Sequence, residues 1–282
     1  MMRIDAHQHY WQPRRGDYDW MPADDAVLAR AYAPGDLAPH LAAAGVEKTV
    51  LVQAAATINE TEYLLGIADA TDSVAGVVGW VDFERPEQIA QLRRLAAHPK
   101  FLGVRPMIQD IPDPDWMLRD DVQWGFRAVC DLGLSLDALG YPLHLANFLT
   151  LARRYPGMRM VIDHCMKPRI RDHAALPGAF AHWAEGMARL AGETGAFCKL
   201  SGLVTEAGED WTIDDLRPVA GHVLSHFGPQ RVMWGSDWPV CRLRASYRGW
   251  FETAQHLVAG LGARDRARVF AGTAAAFYRL AP

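Results

Sequence analysis

The sequence predicts a (β/α)8 barrel in which all 282 residues, 1–282, form a single domain. The main observation is a regular alternation of short apolar segments, predicted as strands, with longer segments predicted as helices. Most strand segments are continuous runs of valine, leucine, isoleucine and methionine, as is typical of parallel strands buried on both faces. A doubly wound open sheet is the alternative, but no glycine-rich phosphate-binding turn follows the first strand.

Eight segments are predicted as strands. Because a helical segment follows each of them, the count favours a closed barrel over an open sheet. In chain order the predicted strands are Arg3–His9, Lys48–Ala54, Val74–Asp82, Phe101–Pro106, Leu134–Leu139, Arg159–His164, Ala196–Ser201 and Arg231–Asp237.

Capping signals mark several of the helices. Asn59 is followed three residues later by Glu62, and Thr212 by Asp215, which is the spacing of a capping box. Pro86 suits the first turn of the helix after the third strand. Further helices are predicted at Asp36–Ala44, Val122–Asp131, Leu143–Tyr155, Phe180–Glu193, Tyr247–Gly260 and Arg264–Leu280.

The composition argues against several classes of partner. The formal net charge is -4, from 29 basic and 33 acidic residues, and no basic stretch suggests nucleic-acid binding. No run of roughly eighteen apolar residues exists, so we expect no membrane contact, and the first residues lack the pattern of a signal peptide. We therefore expect a cytoplasmic protein, a monomer or small homo-oligomer, that acts on a small molecule.

The four cysteines form no C-x-x-C pair. In a cytoplasmic protein of this size we expect reduced thiols rather than disulfides or a thiolate zinc site. They are Cys130, Cys165, Cys198 and Cys241.

Two long irregular segments, Tyr10–Pro34 and Met107–Asp121, each follow a predicted strand. They should therefore lie at the carboxyl end of the barrel, where active sites of this fold are found. Both carry large aromatic side chains, which we expect to form walls or lids of a pocket. These are Trp11, Tyr18, Trp20 and Trp116.

His7 and His9 stand two residues apart at the end of the first predicted strand. Because side chains two apart on a strand share a face, both rings should point into the barrel. Two converging imidazoles suit a metal ion or donation to a substrate carbonyl.

The sixth and eighth predicted strands end in His164 and Asp237. Asp163 and His164 differ in parity, so we expect only His164 to point inward. In a closed barrel the eighth strand adjoins the first, which brings Asp237 near His7 and His9. A carboxylate there can ligate a metal and accept a proton from water.

Further polar residues end other strands and are candidates for contact with substrate. Arg105 suits a carboxylate, hydroxyls or a developing oxyanion. The remaining candidates, whose alternative role is structural hydrogen bonding, are Gln53, Asp82, Asp137, Lys167 and Lys199.

These motifs together resemble the sugar lactonase branch of the amidohydrolase superfamily, of the L-fuconolactonase and L-rhamnonolactonase type. The likeness runs in order from residue 3 to residue 280. It rests on the segments 4–11 (IDAHQHYW), 103–106 (GVRP), 161–164 (VIDH), 199–202 (KLSG), 234–239 (WGSDWP) and 269–278 (VFAGTAAAFY).

The resemblance implies a hydrolase that opens a sugar lactone. No G-x-S-x-G motif is present, so we expect direct attack by water, with Asp237 as general base. We expect at most one divalent metal, zinc, held by His7, His9 and Asp237 with His164, although this branch includes members that work without metal. A decarboxylase, an amide or dicarboxylate-lactone hydrolase, and a non-catalytic sugar-binding protein are the alternatives.

Overall fold

The computed structural model describes residues 2–280, which contain one sheet of eight parallel strands in the order β1 to β8. The last strand returns to the first through a bridge between Gln8 and Trp238, so the sheet closes on itself. This arrangement confirms the predicted (β/α)8 barrel. The predicted domain limits, 1 and 282, lie outside the described residues. The strands are Ile4–Gln8 (β1), Lys48–Val52 (β2), Val74–Gly79 (β3), Phe101–Val104 (β4), Ser135–Ala138 (β5), Arg159–Ile162 (β6), Phe197–Leu200 (β7) and Val232–Trp234 (β8).

Each strand ends one to three residues before its predicted end. The residues beyond these ends leave the sheet for physical reasons. Pro106 has no N–H to donate to a neighbouring strand. His164 and Asp237 adopt the left-handed conformation, with φ of 51° and 55°, which strands exclude. The polar residues at the mouth therefore lie on the turns that follow the strands.

The helices surround the sheet near the predicted positions. The N-cap of the helix after β2 is Thr57 rather than Asn59, because the Thr57 hydroxyl accepts a hydrogen bond from the Glu60 amide. The capping box of Thr212 and Asp215 is confirmed. The helices are Pro34–Ala44 (α1), Ile58–Asp69 (α2), Ile89–Ala96 (α3), Gln123–Asp131 (α4), Leu145–Arg154 (α5), Pro177–Glu193 (α6), Leu203–Glu206 (α7), Ile213–Phe227 (α8), Tyr247–Leu257 (α9), Ala263–Ala267 (α10) and Thr273–Tyr278 (α11).

Several of the ten tryptophans fill the apolar core. Trp183, Trp234 and Trp250 are fully buried, and the indole N–H groups of Trp183 and Trp250 donate to backbone carbonyls at 2.7 and 2.9 Å. All four cysteines are free thiols, as predicted. Within residues 2–280, no helix has the length and apolar character that crossing a bilayer requires.

Candidate active site

Closure of the barrel brings the end of β1 against the turn after β8. The Asp237 amide donates to the His7 carbonyl at 2.8 Å, and the His9 amide donates to the Trp238 carbonyl at 2.7 Å. These two backbone bonds fix the polar residues of both chain segments at one place. The left-handed conformation of Asp237 turns its carboxylate towards the histidines.

Three imidazoles surround the Asp237 carboxylate, as the sequence predicted. Its Oδ1 lies 3.3 Å from Nε2 of His9, 3.7 Å from Nε2 of His7 and 3.8 Å from Nε2 of His164. The Nε2 atoms of His7 and His9 are 3.2 Å apart. All four side chains are buried. We refer to them below as the His–Asp cluster.

Hydrogen bonds behind the His–Asp cluster orient two of its rings. His9 donates from Nδ1 to the Val52 carbonyl at 2.7 Å, which leaves a lone pair on Nε2. His164 Nδ1 lies 2.9 Å from the Ser201 hydroxyl. The next residue, Gly202, has φ of +66°, and a Cβ there would lie 2.7 Å from the His164 ring. Glycine is therefore required beside this ring.

The His–Asp cluster fits one divalent cation. Zinc ligands sit about 2.0–2.1 Å from the metal, so neighbouring ligand atoms of a tetrahedral site are roughly 3.3 Å apart, close to the distances above. The lone pair of His9 Nε2 and the oxygen of Asp237 face each other at 3.3 Å, an arrangement that a cation between them stabilises. A second possible ligand set, His7, Asp163 and His164, shares two histidines with the first and is not independent of it.

Burial and neighbouring charges set the protonation of the cluster. Burial lowers the pKa of His164 to about 4 and that of His7 well below its usual value, so both rings are neutral at pH 7. For Asp237, burial acts to raise the pKa, but the neighbouring histidines, His164 above all, outweigh it and hold the pKa below its usual range. Asp237 is therefore a carboxylate throughout the neutral pH range.

The parity argument at the end of β6 fails, because Asp163 also points inward. Its carboxylate is fully buried and lies 3.5 Å from Nδ1 of His7 and 3.4 Å from Nη1 of Arg105. Strand alternation stops at Ile162, since the four residues from His164 to Lys167 all have positive φ, between 48° and 60°. In this turn successive side chains no longer point to opposite faces, so Asp163 and His164 both reach the cluster.

Asp137 and Lys199 do not line the mouth, contrary to expectation. Both are fully buried inside the barrel, where Nζ of Lys199 lies 2.5 Å from Asp137 and 3.0 Å from Asp163. The Tyr278 hydroxyl donates to Asp137 at 2.7 Å. Asp137 lies within β5 and Lys199 within β7, rather than on the turns that follow, and with Asp163 they form an ionic layer behind His7.

A cavity of about 310 Å³ opens above the cluster. Its polar lining includes Arg105 and Lys167, as predicted, and Nζ of Lys167 donates to Gln109 at 2.5 Å. Burial lowers the pKa of Lys167. Gln109 and Asp110 were not singled out from the sequence, although they lie in a segment predicted to follow the mouth. The full lining is His9, Trp11, Trp20, Ala54, Arg105, Met107, Gln109, Asp110, Leu139, His164, Lys167, Asp237 and Val240.

Two candidate substrate contacts lie elsewhere. Gln53 is fully buried behind Arg105: its side-chain amide donates to the Arg105 backbone carbonyl at 2.6 Å, and its backbone carbonyl accepts from the guanidinium. Asp82 lies in a neighbouring groove, where it accepts from the Glu84 amide at 2.9 Å. The chain leaves β3 at Gly79, three residues before Asp82, and has already turned away from the barrel axis.

Of the aromatic residues predicted in the two long loops, some line the cavity and others lie elsewhere. Trp11 and Trp20 line the cavity, as predicted, and their rings meet edge to face at 5.8 Å. Tyr18 is buried behind Trp11. Trp116 instead packs on Phe83 beside the neighbouring groove.

Known proteins that are similar to this chain include amidohydrolases and lactonases. A family model described as amidohydrolase matches residues 4–280. An L-fucono-1,5-lactonase of Burkholderia ambifaria is 43% identical over 282 residues, covering 99% of this chain and 96% of that relative. An L-fucono-1,5-lactonase of Burkholderia multivorans is 36% identical over 297 residues, with coverages of 99% and 96%. The crystal structure of an amidohydrolase from Burkholderia multivorans with bound zinc superposes with a TM-score of 0.92 at 35% identity, with both chains covered in full. The chain belongs to the amidohydrolase family.

Proposed function

We propose that the protein hydrolyses a sugar lactone, L-fucono-1,5-lactone or a close relative, to the sugar acid. The observation that carries the proposal is a buried carboxylate, Asp237, surrounded by three imidazoles at the floor of a cavity. The two lactonase relatives, similar over nearly their whole length, support the substrate class.

Direct attack by water is the mechanism that these residues support. Asp237 takes a proton from the attacking water and returns it to the alkoxide that leaves when the ring opens. The Arg105 guanidinium, with Nη1 3.4 Å from His7 Nε2, borders the same space and can stabilise the negative charge on the carbonyl oxygen. Ser236 precedes Asp237, but its hydroxyl accepts from the Trp238 amide at 3.0 Å and is fully buried, so it is no nucleophile.

His7, His9 and Asp237, with His164, are the proposed ligands of one zinc ion. A zinc ion bound there would supply Lewis-acid polarisation and lower the pKa of a bound water. The effect of removing zinc is measured separately from the hydrolytic activity, because the Arg105 guanidinium can stabilise the carbonyl oxygen without a metal ion.

The shape and lining of the cavity suit a single sugar ring. Its volume, about 310 Å³, is at the lower end for small-molecule sites. Trp11 and Trp20 offer apolar surface for the C–H face of a ring. Lys167, Gln109 and Asp110 offer polar groups for hydroxyls on the other side.

The test is a pH-indicator assay on a panel of aldonolactones, run on chelator-treated protein with and without added zinc. We expect acid release to be fastest with L-fucono-1,5-lactone or a lactone of the same configuration. Release of carbon dioxide from a carboxylated aromatic, or hydrolysis of an amide, with every lactone inert, would overturn the proposal.

A further inference from the structure

A buried lysine beneath the His–Asp cluster donates to one of the proposed metal ligands. Nζ of Lys199 makes hydrogen bonds to Asp137 Oδ2 at 2.5 Å and to His7 Nδ1 at 3.0 Å, and it lies 3.0 Å from Asp163 Oδ1. Lys199 forms ion pairs with both carboxylates, and a lysine ammonium group has three donors and no acceptor. Nδ1 of His7 must therefore be the acceptor of the lysine hydrogen bond.

This hydrogen bond selects the tautomer of His7. A neutral imidazole that accepts at Nδ1 carries its proton on Nε2. Nε2 of His7 faces Nε2 of His9 at 3.2 Å, and His9 donates from Nδ1 to the Val52 carbonyl, so its Nε2 can accept the His7 proton. Arg105 also approaches Nε2 of His7, but at 3.4 Å it is the weaker of the two cationic neighbours.

A metal ion needs the other tautomer, because a nitrogen that carries a proton has no lone pair to give. In that form the proton lies on Nδ1 and needs an acceptor. Asp163 Oδ1 is buried, lies 3.5 Å from Nδ1 of His7, and has no hydrogen-bond partner among residues 2–280. Nζ of Lys199 lies 3.0 Å from this oxygen as an ion pair, and a carboxylate oxygen keeps a further lone pair for the Nδ1 proton.

We propose that Lys199 and Asp163 form a tautomer switch for His7. Lys199 holds the metal-free form, with the proton on Nε2, and Asp163 accepts the Nδ1 proton in the form that binds metal. The proton changes nitrogen on a neutral ring, so the ring charge is the same in both forms. The inference rests on the proposed metal ligands, and it adds that this site is built to bind metal weakly.

The magnitude follows from the hydrogen bond that metal binding must break. Metal-bound histidines usually donate their second N–H to a carboxylate or carbonyl, and losing that partner costs about 10–100-fold in metal affinity. A hydrogen bond to a charged donor is of similar strength. Lys199 should therefore weaken zinc binding by about 10–100-fold relative to a neutral, non-donating residue at the same position.

The tautomer itself is measured by 15N NMR of histidine-labelled, metal-free protein at pH 8, with His7 assigned from the spectrum of His7→Asn. We expect the proton on Nε2 of His7 in the wild type. In Lys199→Met we expect it on Nδ1, and titration of zinc against a competing chelator should show about 10–100-fold tighter binding. A wild-type ring protonated on Nδ1, or a tautomer unchanged in Lys199→Met, would overturn the switch.

Two further variants distinguish an effect on the His7 tautomer from an effect of charge alone and from a failure to fold. Lys167→Met removes another cation near the cluster, so it reports the effect of charge alone and should leave the His7 tautomer unchanged. Asp163→Leu removes the Nδ1 acceptor and should weaken zinc binding by about 10–100-fold while the proton stays on Nε2. If Lys199→Met does not fold, the tautomer of His7 in the wild-type and Asp163→Leu spectra still tests the proposal. If no variant binds zinc, the proposed ligand set fails, whereas the tautomer result stands by itself.

Discussion

Replacing Asp237 by asparagine tests the chemistry of the site most directly. The change removes one negative charge and keeps the shape of the side chain. Oδ1 of Asp237 lies within 3.8 Å of Nε2 of all three histidines, and the residue is 4% exposed, so the asparagine remains enclosed by the same groups. An amide oxygen still accepts hydrogen bonds, but it does not take a proton from water at neutral pH.

The size of the loss follows from the protonation of the carboxylate. A general base contributes about 10²–10⁴-fold in rate, and most when its pKa is near the working pH. The histidines hold the pKa of Asp237 below its usual range, so it is always ionised but weakly basic. We therefore expect the lower part of the range, about 10²–10³-fold in kcat, or about 3–4 kcal/mol of activation free energy.

The assay is the initial rate of acid release from the best lactone, with kcat and KM measured for Asp237→Asn and for Asp110→Asn. Asp110 supplies a matched control, since it is a carboxylate of the same cavity outside the His–Asp cluster. Asp110→Asn should change mainly KM. Near-wild-type kcat in a folded Asp237→Asn protein would refute the role of Asp237 as base, and an acyl-enzyme trapped on rapid quenching would refute direct attack by water.

Three further predictions follow from other parts of the site. Gly202→Ala should lower the free energy of unfolding by about 1–2 kcal/mol, because residue 202 has a left-handed conformation, and should reduce kcat by displacing His164. Gly208→Ala is the control: it has open space around it and should change neither quantity. Burial raises the pKa of Glu60 from 4.5 to about 7, so the folded state binds the proton more tightly and stability is lost as pH rises through that window. Between pH 4 and pH 8 the unfolding free energy of the wild type should therefore fall by about 3 kcal/mol relative to Glu60→Gln, and parallel pH profiles would contradict this assignment. Dialysis against a chelator should remove at most one equivalent of zinc per chain. It should also lower the unfolding temperature, since a ligand that binds the native state stabilises that state. Two equivalents of zinc on elemental analysis would contradict the single site.

Strand alternation gave the correct position of His7 and His9, and barrel closure correctly placed Asp237 beside them. These two inferences use only regular geometry: a period of two along a strand and the adjacency of the first and last strands. The eight strands were likewise evident, since strands buried on both faces must be continuously apolar. Strand ends were placed too late, because a polar residue after an apolar run does not reveal where hydrogen bonding stops.

Irregular backbone conformation after the strands limited how well the positions of the remaining site residues could be predicted from the sequence. Asp163 was assigned outward because strand alternation was extended past Ile162, whereas the left-handed turn that follows brings it towards His7. Asp82 was assigned to the mouth from its place after β3, although the chain has already turned into the neighbouring groove. Such turns depend on contacts between distant segments, which a local pattern does not contain.

The sequence by itself determined the barrel, the His–Asp cluster and the family. Only the tertiary structure decided the roles of the other polar residues. Lys199 and Asp137 carry the same kind of signal in the sequence as Arg105, a polar residue after an apolar run, yet they lie in a closed ionic layer while Arg105 reaches the cavity. The physical reason is position: whether a charge meets substrate or another charge depends on whether it lies within its strand or after it, and on which opposite charge is within reach. Both depend on residues more than fifty positions away in the chain.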